Sequence, residues 1–255
     1  MANKINLREL VLNILLEIDK EGQYSHLVLR NTLEKYQYLE KKERAFITRI
    51  CEGTLEYRIR LDYILDQFST VPADKMKPVI RELLRSSVYQ LLYMDHVPDS
   101  AVCNEAVKLA RKRGFYNLTG FVNGVLRRIV REYGSIHFPE KNSPVEYLSV
   151  IYSMPVWLVE RFLKEYDFAT TEKMLESFLE TQPATIRIRE YQTEEEAVLE
   201  SLKEEKVTVE KAPYVDRAYY VKNYDYLPAL TAFRRGSIRG FPGCPAPRPP
   251  SIPPH

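Results

Sequence analysis

Over the first 138 residues, apolar side chains recur three and four positions apart in seven successive stretches, and no stretch alternates as a strand would. A chain patterned this way buries its apolar surface by packing helix on helix. The first stretch, 5–20, carries Leu7, Leu10, Val11, Leu15 and Ile18 and runs out at Gly22. A second helix is expected over 24–36. A third, over 40–57, turns Ala45, Phe46 and Ile50 inward, with Gly53 inside it or marking a break. The fourth, 58–69, offers Leu61, Ile64, Leu65 and Phe68. Pro78 suits the first turn of a fifth helix over 77–94, the most apolar of the set, with Val79, Leu83, Leu84, Val88, Leu91 and Leu92. Val97-Pro98-Asp99-Ser100 leads into a sixth over 100–113, which stops at Gly114. Asn117 is placed to cap a seventh over 118–132.

The seventh stretch, Gly120-Phe121-Val122-Asn123-Gly124-Val125-Leu126-Arg127-Arg128-Ile129, is apolar on one side and basic on the other. Its end holds Arg127, Arg128 and Arg131, and the end of the sixth holds Lys108, Arg111, Lys112 and Arg113. Cations favour helix C-termini through the macrodipole, worth about 0.3–1 kcal/mol each. That accounts for one or two per end, and seven exceed it. Forked guanidinium groups suit phosphate, so this set is the candidate RNA-binding surface, with Arg8 and Lys4 near the first helix as weaker members. Asn123 shares a face with Arg127 and can bond either a neighbouring helix or a base edge. Gly120 and Gly124 would let another helix come close.

Charge is unevenly spread. Residues 1–138 hold 22 Lys and Arg against 17 Asp and Glu; residues 139–230 hold 11 against 18. A basic first part is what a phosphate-binding surface needs. Residues 138–146 read as a linker. After it come helices opened by Pro155 and over 170–181, an alternating strand at 185–189, an acidic helix over 193–204, and short strands at 207–209 and 218–221. The last twenty residues contain 7 prolines and 3 glycines and no acidic residue, so disorder is expected there. The fold class is therefore mainly α: a seven-helix bundle over 1–138, a small α+β domain over 139–233, and a disordered Pro-rich tail over 234–255.

Little in the chain carries chemistry. The three cysteines, Cys51, Cys103 and Cys244, are too far apart for a disulfide framework or a CxxC metal site, and suit a reducing cytoplasm. The histidines (His26, His96, His137, His255) are scattered, so no metal site is expected. No phosphate-binding glycine loop or nucleophile motif occurs. No run nears the ~20 apolar residues of a membrane helix, and the N-terminus lacks a signal-peptide pattern.

The stretch 120–128 resembles the last-helix signature of NusB-like domains. Tyr89-Gln90-Leu91-Leu92-Tyr93-Met94 with Val97-Pro98, and Asn104-Glu105-Ala106-Val107-Lys108-Leu109-Ala110, match the helices before it, and Arg8-Glu9-Leu10-Val11 and Gly53-Thr54-Leu55 also fit. The match continues through Tyr152-Ser153-Met154-Pro155-Val156-Trp157-Leu158 and Pro183-Ala184-Thr185-Ile186-Arg187. It covers residues 4–233 and is similar to the bacterial small-subunit rRNA cytosine-C5 methyltransferases of the RsmB (Sun) type. One departure is Arg189, where that family usually has Asn.

The resemblance implies a NusB-like RNA-binding domain, a connecting domain, and a methyltransferase domain that binds S-adenosylmethionine in a Gly-rich strand–loop–helix and supplies two cysteines. No such motif is present in this chain, so no catalytic or cofactor-binding residue is assigned and the chain alone is expected to be inactive. After Phe233-Arg234-Arg235-Gly236 the sequence leaves the family pattern, as a frameshift or truncated gene would make it do. The first reading is rRNA binding as part of such an enzyme, in the cytoplasm, with small-subunit rRNA as partner. The rivals are a stand-alone NusB-like antitermination factor and a protein-interaction or dimerisation module.

Overall fold

The computed structural model describes residues 5–180, 183–189, 194–213, 215–224 and 227–240. Its contacts divide the chain into two units between Leu179 and Glu180.

The first unit opens with α1 (Leu7–Glu21), α2 (Ser25–Lys35), α3 (Lys41–Glu56), α4 (Arg58–Phe68), α5 (Pro78–Tyr93), α6 (Asp99–Lys112) and α7 (Thr119–Arg131). The seven helices fall where the apolar spacing placed them, and their ends have local causes. Asn6 caps α1 by accepting a hydrogen bond from the Glu9 amide at 3.0 Å, and Gly22 ends it at φ 60°. Glu40 and Glu43 form a capping box on α3. Asn117 does not cap α7 with its side chain: it lies in a 3-10 turn, Tyr116–Leu118, and Leu118 occupies the cap position.

α5 is the axis of the bundle. It touches α1, α3, α4, α6 and α7. Besides Leu83, Leu84, Val88 and Leu91 it buries Glu82, Arg85, Ser86, Ser87 and Gln90, so it is enclosed all round rather than along one stripe. Gly53 sits inside α3 and marks no break; a Cβ there would overlap the ring of Tyr89. That close approach seats Tyr89 in a stack with Tyr57 and Tyr93, the last two 4.7 Å apart between ring centroids.

Three further helices complete this unit: α8 (Pro144–Ile151), α9 (Val156–Glu165) and α10 (Phe168–Leu179). α8 begins within the expected linker. Proline at its first position and Leu148, Ser149 and Val150 on its buried side make it a helix. It packs on α4, and the Ile59 amide donates to Ser153 Oγ at 3.1 Å. The division near 138 expected from composition therefore differs from the division by contacts, which keeps α8–α10 with the bundle.

The second unit has a four-stranded antiparallel sheet in the order β2-β3-β1-β4. The strands are β1 (Ala184–Ile188), β2 (Thr208–Lys211), β3 (Ala218–Lys222) and β4 (Ile238–Gly240), with α11 (Glu195–Glu204) and α12 (Thr231–Arg234) between them. Ile186, Ile188, Val221 and Ile238 form a core with Val198 and Leu202 of α11. Disorder expected from 234 onward does not hold for 234–240. Ile238 is buried and β4 pairs with β1, because an apolar residue beside an open strand edge has both a core and a ladder to join. The rest of the expected tail, with Cys244 and His255, lies outside the described residues, as does Lys4.

Candidate nucleic-acid interface

α7 buries Val122, Val125, Leu126 and Ile129. Each such side chain contributes about 1.5–3 kcal/mol when fully buried, which anchors the helix with its basic side outward. α6 buries Val102, Cys103, Ala106, Leu109 and Ala110 in the same manner. The two helices pack along one another and are joined by residues 113–118 alone, so they run antiparallel. Gly114, at φ 83°, turns the chain between them. Accordingly the Arg127 charge acts on Cys103, near the start of α6.

This antiparallel course separates the two groups of cations. Lys108, Arg111, Lys112 and Arg113 lie at one end of the hairpin, and Arg127, Arg128 and Arg131 at the other. Along the outward side, however, Asn104, Lys108 and Arg111 of α6 and Gly120, Gly124, Arg127 and Arg131 of α7 are all exposed, at spacings that keep each set on one helix face. The exposed cations thus lie on the outward sides of the two helices of one hairpin.

The partners of the candidate residues differ. Arg8 turns into the bundle: its Nε donates to Gln90 Oε1 at 2.7 Å, its guanidinium lies 5.2 Å from the Phe46 ring centroid, and burial lowers its pKa. It braces α1 against α5 and is not an outward cation. Lys112 pairs with Glu9 at 2.6 Å, and Arg113 bonds Asn13 and lies 3.7 Å from Glu9, so these two tie α6 to α1. Lys108 pairs with Glu105 at 2.8 Å. That hydrogen bond, followed by one from Asn6, holds the Glu105 carboxyl below the usual carboxylate range.

On α7, Arg128 reaches Glu132 at 3.1 Å and covers the Phe68 ring, while Arg131 reaches Glu132 at 3.4 Å. The Arg128 hydrogen bond is the main reason the Glu132 pKa is lowered. Arg127 donates to Asn123 Oδ1 at 3.0 Å. Asn123 therefore positions Arg127 one turn away rather than bonding a neighbouring helix. Arg111 is exposed and has no ion-pair partner among the described residues. Exposed pairs of this kind are worth about 0–1 kcal/mol, so Lys108, Arg111, Arg127 and Arg131 can turn to a phosphate at little cost. Gly120 and Gly124 are exposed with nothing within 4 Å of a Cβ built on them, so no helix comes close to them in this unit.

Sequence reading misses the ionic network that joins α1, α4 and α5. Arg85 Nε and Nη2 form a fork on Asp62 Oδ1 and Oδ2, each at 2.6 Å, and its Nη1 bonds Glu82. Asp19 of α1 accepts from Arg81 at 2.7 Å and from Arg58 at 3.0 Å. Burial raises the Glu82 pKa; Arg85 keeps a raised pKa because Asp62 and Glu82 outweigh the burial that would lower it. The signal is present as charges at 81, 82 and 85 inside the most apolar helix. Cys51 and Cys103 are buried free thiols whose pKa burial raises. No group of three metal-binding side chains occurs among the described residues, and no helix there is long and apolar enough to cross a membrane. S-adenosylmethionine, which the resemblance implies, finds no fit: none of the four strands runs into a helix through a Gly-rich loop among the described residues.

Comparison with known proteins matches residues 5–131 to the NusB family and residues 154–224 to the ferredoxin-like domain of RsmF/B-like methyltransferases. The chain is a NusB-family domain followed by an RsmF/B-type ferredoxin-like domain. It is 34% identical over 215 residues to a probable ribosomal RNA small subunit methyltransferase B of Bacillus subtilis (strain 168), covering 84% of this chain and 47% of that protein. It is 33% identical over 207 residues to the protein described likewise in Synechocystis sp., covering 80% and 45%. The chain thus spans about half the length of the curated relatives it matches. The solved structure of PH0851 has the same fold over 94% of this chain and 54% of its own, with a TM-score of 0.67 at 20% identity.

Proposed function

We propose that the chain binds small-subunit ribosomal RNA through the outward face of α6 and α7, in the cytoplasm, as the RNA-holding part of an RsmB-type cytosine-C5 methyltransferase. The observation that supports it is the exposed border of Lys108, Arg111, Arg127 and Arg131 on a NusB-family bundle, in a chain similar to rRNA methyltransferases across both units. Lys112 and Arg128 flank that side as exposed residues paired with Glu9 and Glu132, and Arg113, half-buried, is held by Asn13 and Glu9. The ferredoxin-like match disfavours a stand-alone antitermination factor.

The test is fluorescence anisotropy with a labelled fragment of small-subunit rRNA across a salt series. Arg127→Glu/Arg128→Glu is expected to weaken binding at least about tenfold and to reduce the salt slope by roughly 0.9 for each duplex phosphate no longer neutralised. Unchanged affinity and slope in a folded variant would remove this face from the RNA-binding surface.

A further inference from the structure

α9 leaves most of its apolar surface uncovered. Of Val156, Trp157, Leu158, Val159, Phe162 and Leu163 only Val159 is buried, whereas α7 buries Val122, Val125, Leu126 and Ile129. Trp157, the single tryptophan of the chain, keeps 64% of its surface in water, and Val156 keeps 50%. Beside Val156 a groove of about 550 Å³ opens between α4, α8 and the start of α9, lined by Ile59, Pro144, Val145 and Val150. A large exposed aromatic next to an apolar groove is the make-up of a contact surface.

The turn before α9 fixes Trp157 in place. Ser153 takes φ 53°, the Met154 amide donates to the Ser149 carbonyl at 2.9 Å, and Ser149 Oγ donates to the Met154 carbonyl at 2.6 Å. Ser153 Oγ in turn accepts from the Ile59 amide of α4 at 3.1 Å. An aromatic held on a fixed backbone loses little entropy on contact.

The charges around Trp157 identify what it contacts. Trp157, Glu160, Arg161 and Lys164 are all exposed and stand at i, i+3, i+4 and i+7, on one helix face. Arg161 reaches Glu165 only at 3.8 Å, and Glu160 and Lys164 have no ion-pair partner among the described residues. This order is self-complementary. Across a two-fold axis between positions 160 and 161, an antiparallel copy of α9 sets Glu160 against the partner's Arg161 and Trp157 against the partner's Lys164. Each contact occurs twice, so the pair closes.

We propose that the chain self-associates through this face of α9, as an antiparallel pair with a second copy. Two Glu–Arg pairs and two cation–π contacts, for which tryptophan is the best ring, join the helices. A parallel pair would set Glu160 against Glu160 and Arg161 against Arg161. A uniformly basic partner would satisfy Glu160 and repel Arg161 and Lys164. Residues 157–164 span about 11 Å of helix, which places the contact at the small, transient end of interfaces, with micromolar or weaker affinity. The face shares no residue with the RNA-binding surface of α6 and α7.

The test is sedimentation velocity of the full chain from low to high micromolar concentration, with the emission of Trp157 read on the same samples. The sedimentation coefficient is expected to rise towards that of a dimer, with emission moving to shorter wavelength in step and the association weakening with salt. Trp157→Ala, read by sedimentation, is expected to weaken the dimer at least about tenfold. Glu160→Arg or Arg161→Glu alone is expected to weaken it roughly tenfold, and Glu160→Arg/Arg161→Glu to restore it to within about threefold, as opposed charges across the axis require. All four positions are exposed, and circular dichroism checks that each variant is folded. A monomer at every concentration, a dimer whose Trp157 emission does not move, native association in folded Trp157→Ala, or a double reversal as weak as the single ones would each overturn the proposal.

Discussion

The interior of the bundle and the outer face of its last hairpin use the same residue type for opposite ends. Arg85 is enclosed, forked onto Asp62 and bonded to Glu82, and its pKa is raised. Arg111 and Arg127 are exposed and held by nothing stronger than Asn123. A buried guanidinium must be fully partnered, because its desolvation is not recovered otherwise. A cation meant for phosphate must stand in water with partners it can leave. The number of partners, rather than the charge, separates the structural arginines of this protein from those available to a ligand.

The contrast can be broken most strongly at its buried end. Arg85→Met strands Glu82 in the interior and removes the fork from the half-buried Asp62, and is expected to cost about 3–5 kcal/mol in urea unfolding. A cost below about 1 kcal/mol, the range of an exposed pair, would mean the network adds little to the folded state. The glycines offer a second, smaller contrast. Gly53→Ala drives a methyl into the Tyr89 ring and is expected to destabilise by about 1–3 kcal/mol. Gly124→Ala meets nothing within 4 Å and should stabilise by about 0.8–1 kcal/mol through helix propensity alone. Thermal melts of the two variants should therefore move in opposite directions.

The smallest effect concerns pH. Lys108 and Asn6 hold Glu105 below its ordinary pKa. Its contribution is therefore present above the ordinary glutamate value of about 4.3 and is lost as pH falls through the lowered one. Glu105→Gln should flatten the acid side of the stability profile by less than about 1 kcal/mol. An unchanged profile would show that the Lys108–Glu105–Asn6 link does not hold α6 to the start of α1.

The helical unit is far more legible in the sequence than the sheet unit. Apolar spacing locates α1–α7 because each helix carries its own periodic face, a local property of the chain. The start of α8 falls in the expected linker, 138–146, because eight residues with two prolines nearby give too short a period to count. β4 escapes sequence reading because its three residues become a strand only when β1 offers a free edge. The cations at the ends of α6 and α7 are visible as composition, whereas their separation to opposite ends of a hairpin is not. Arg8 has the same sequence appearance as Arg111, yet it points at Gln90 and Phe46.

What the sequence determined by itself was the set of helices, the excess of cations on α6 and α7, and the likeness to NusB and RsmB-type proteins. All three are written in residues close together along the chain. The tertiary structure alone decided which arginines are enclosed, that Asn123 positions Arg127, that Gly53 is bound to Tyr89 while Gly120 and Gly124 stand clear, and that Arg187 meets Arg239 across a sheet. Those outcomes depend on pairs of residues distant in sequence, and burial and register, which no local pattern encodes, bring them together.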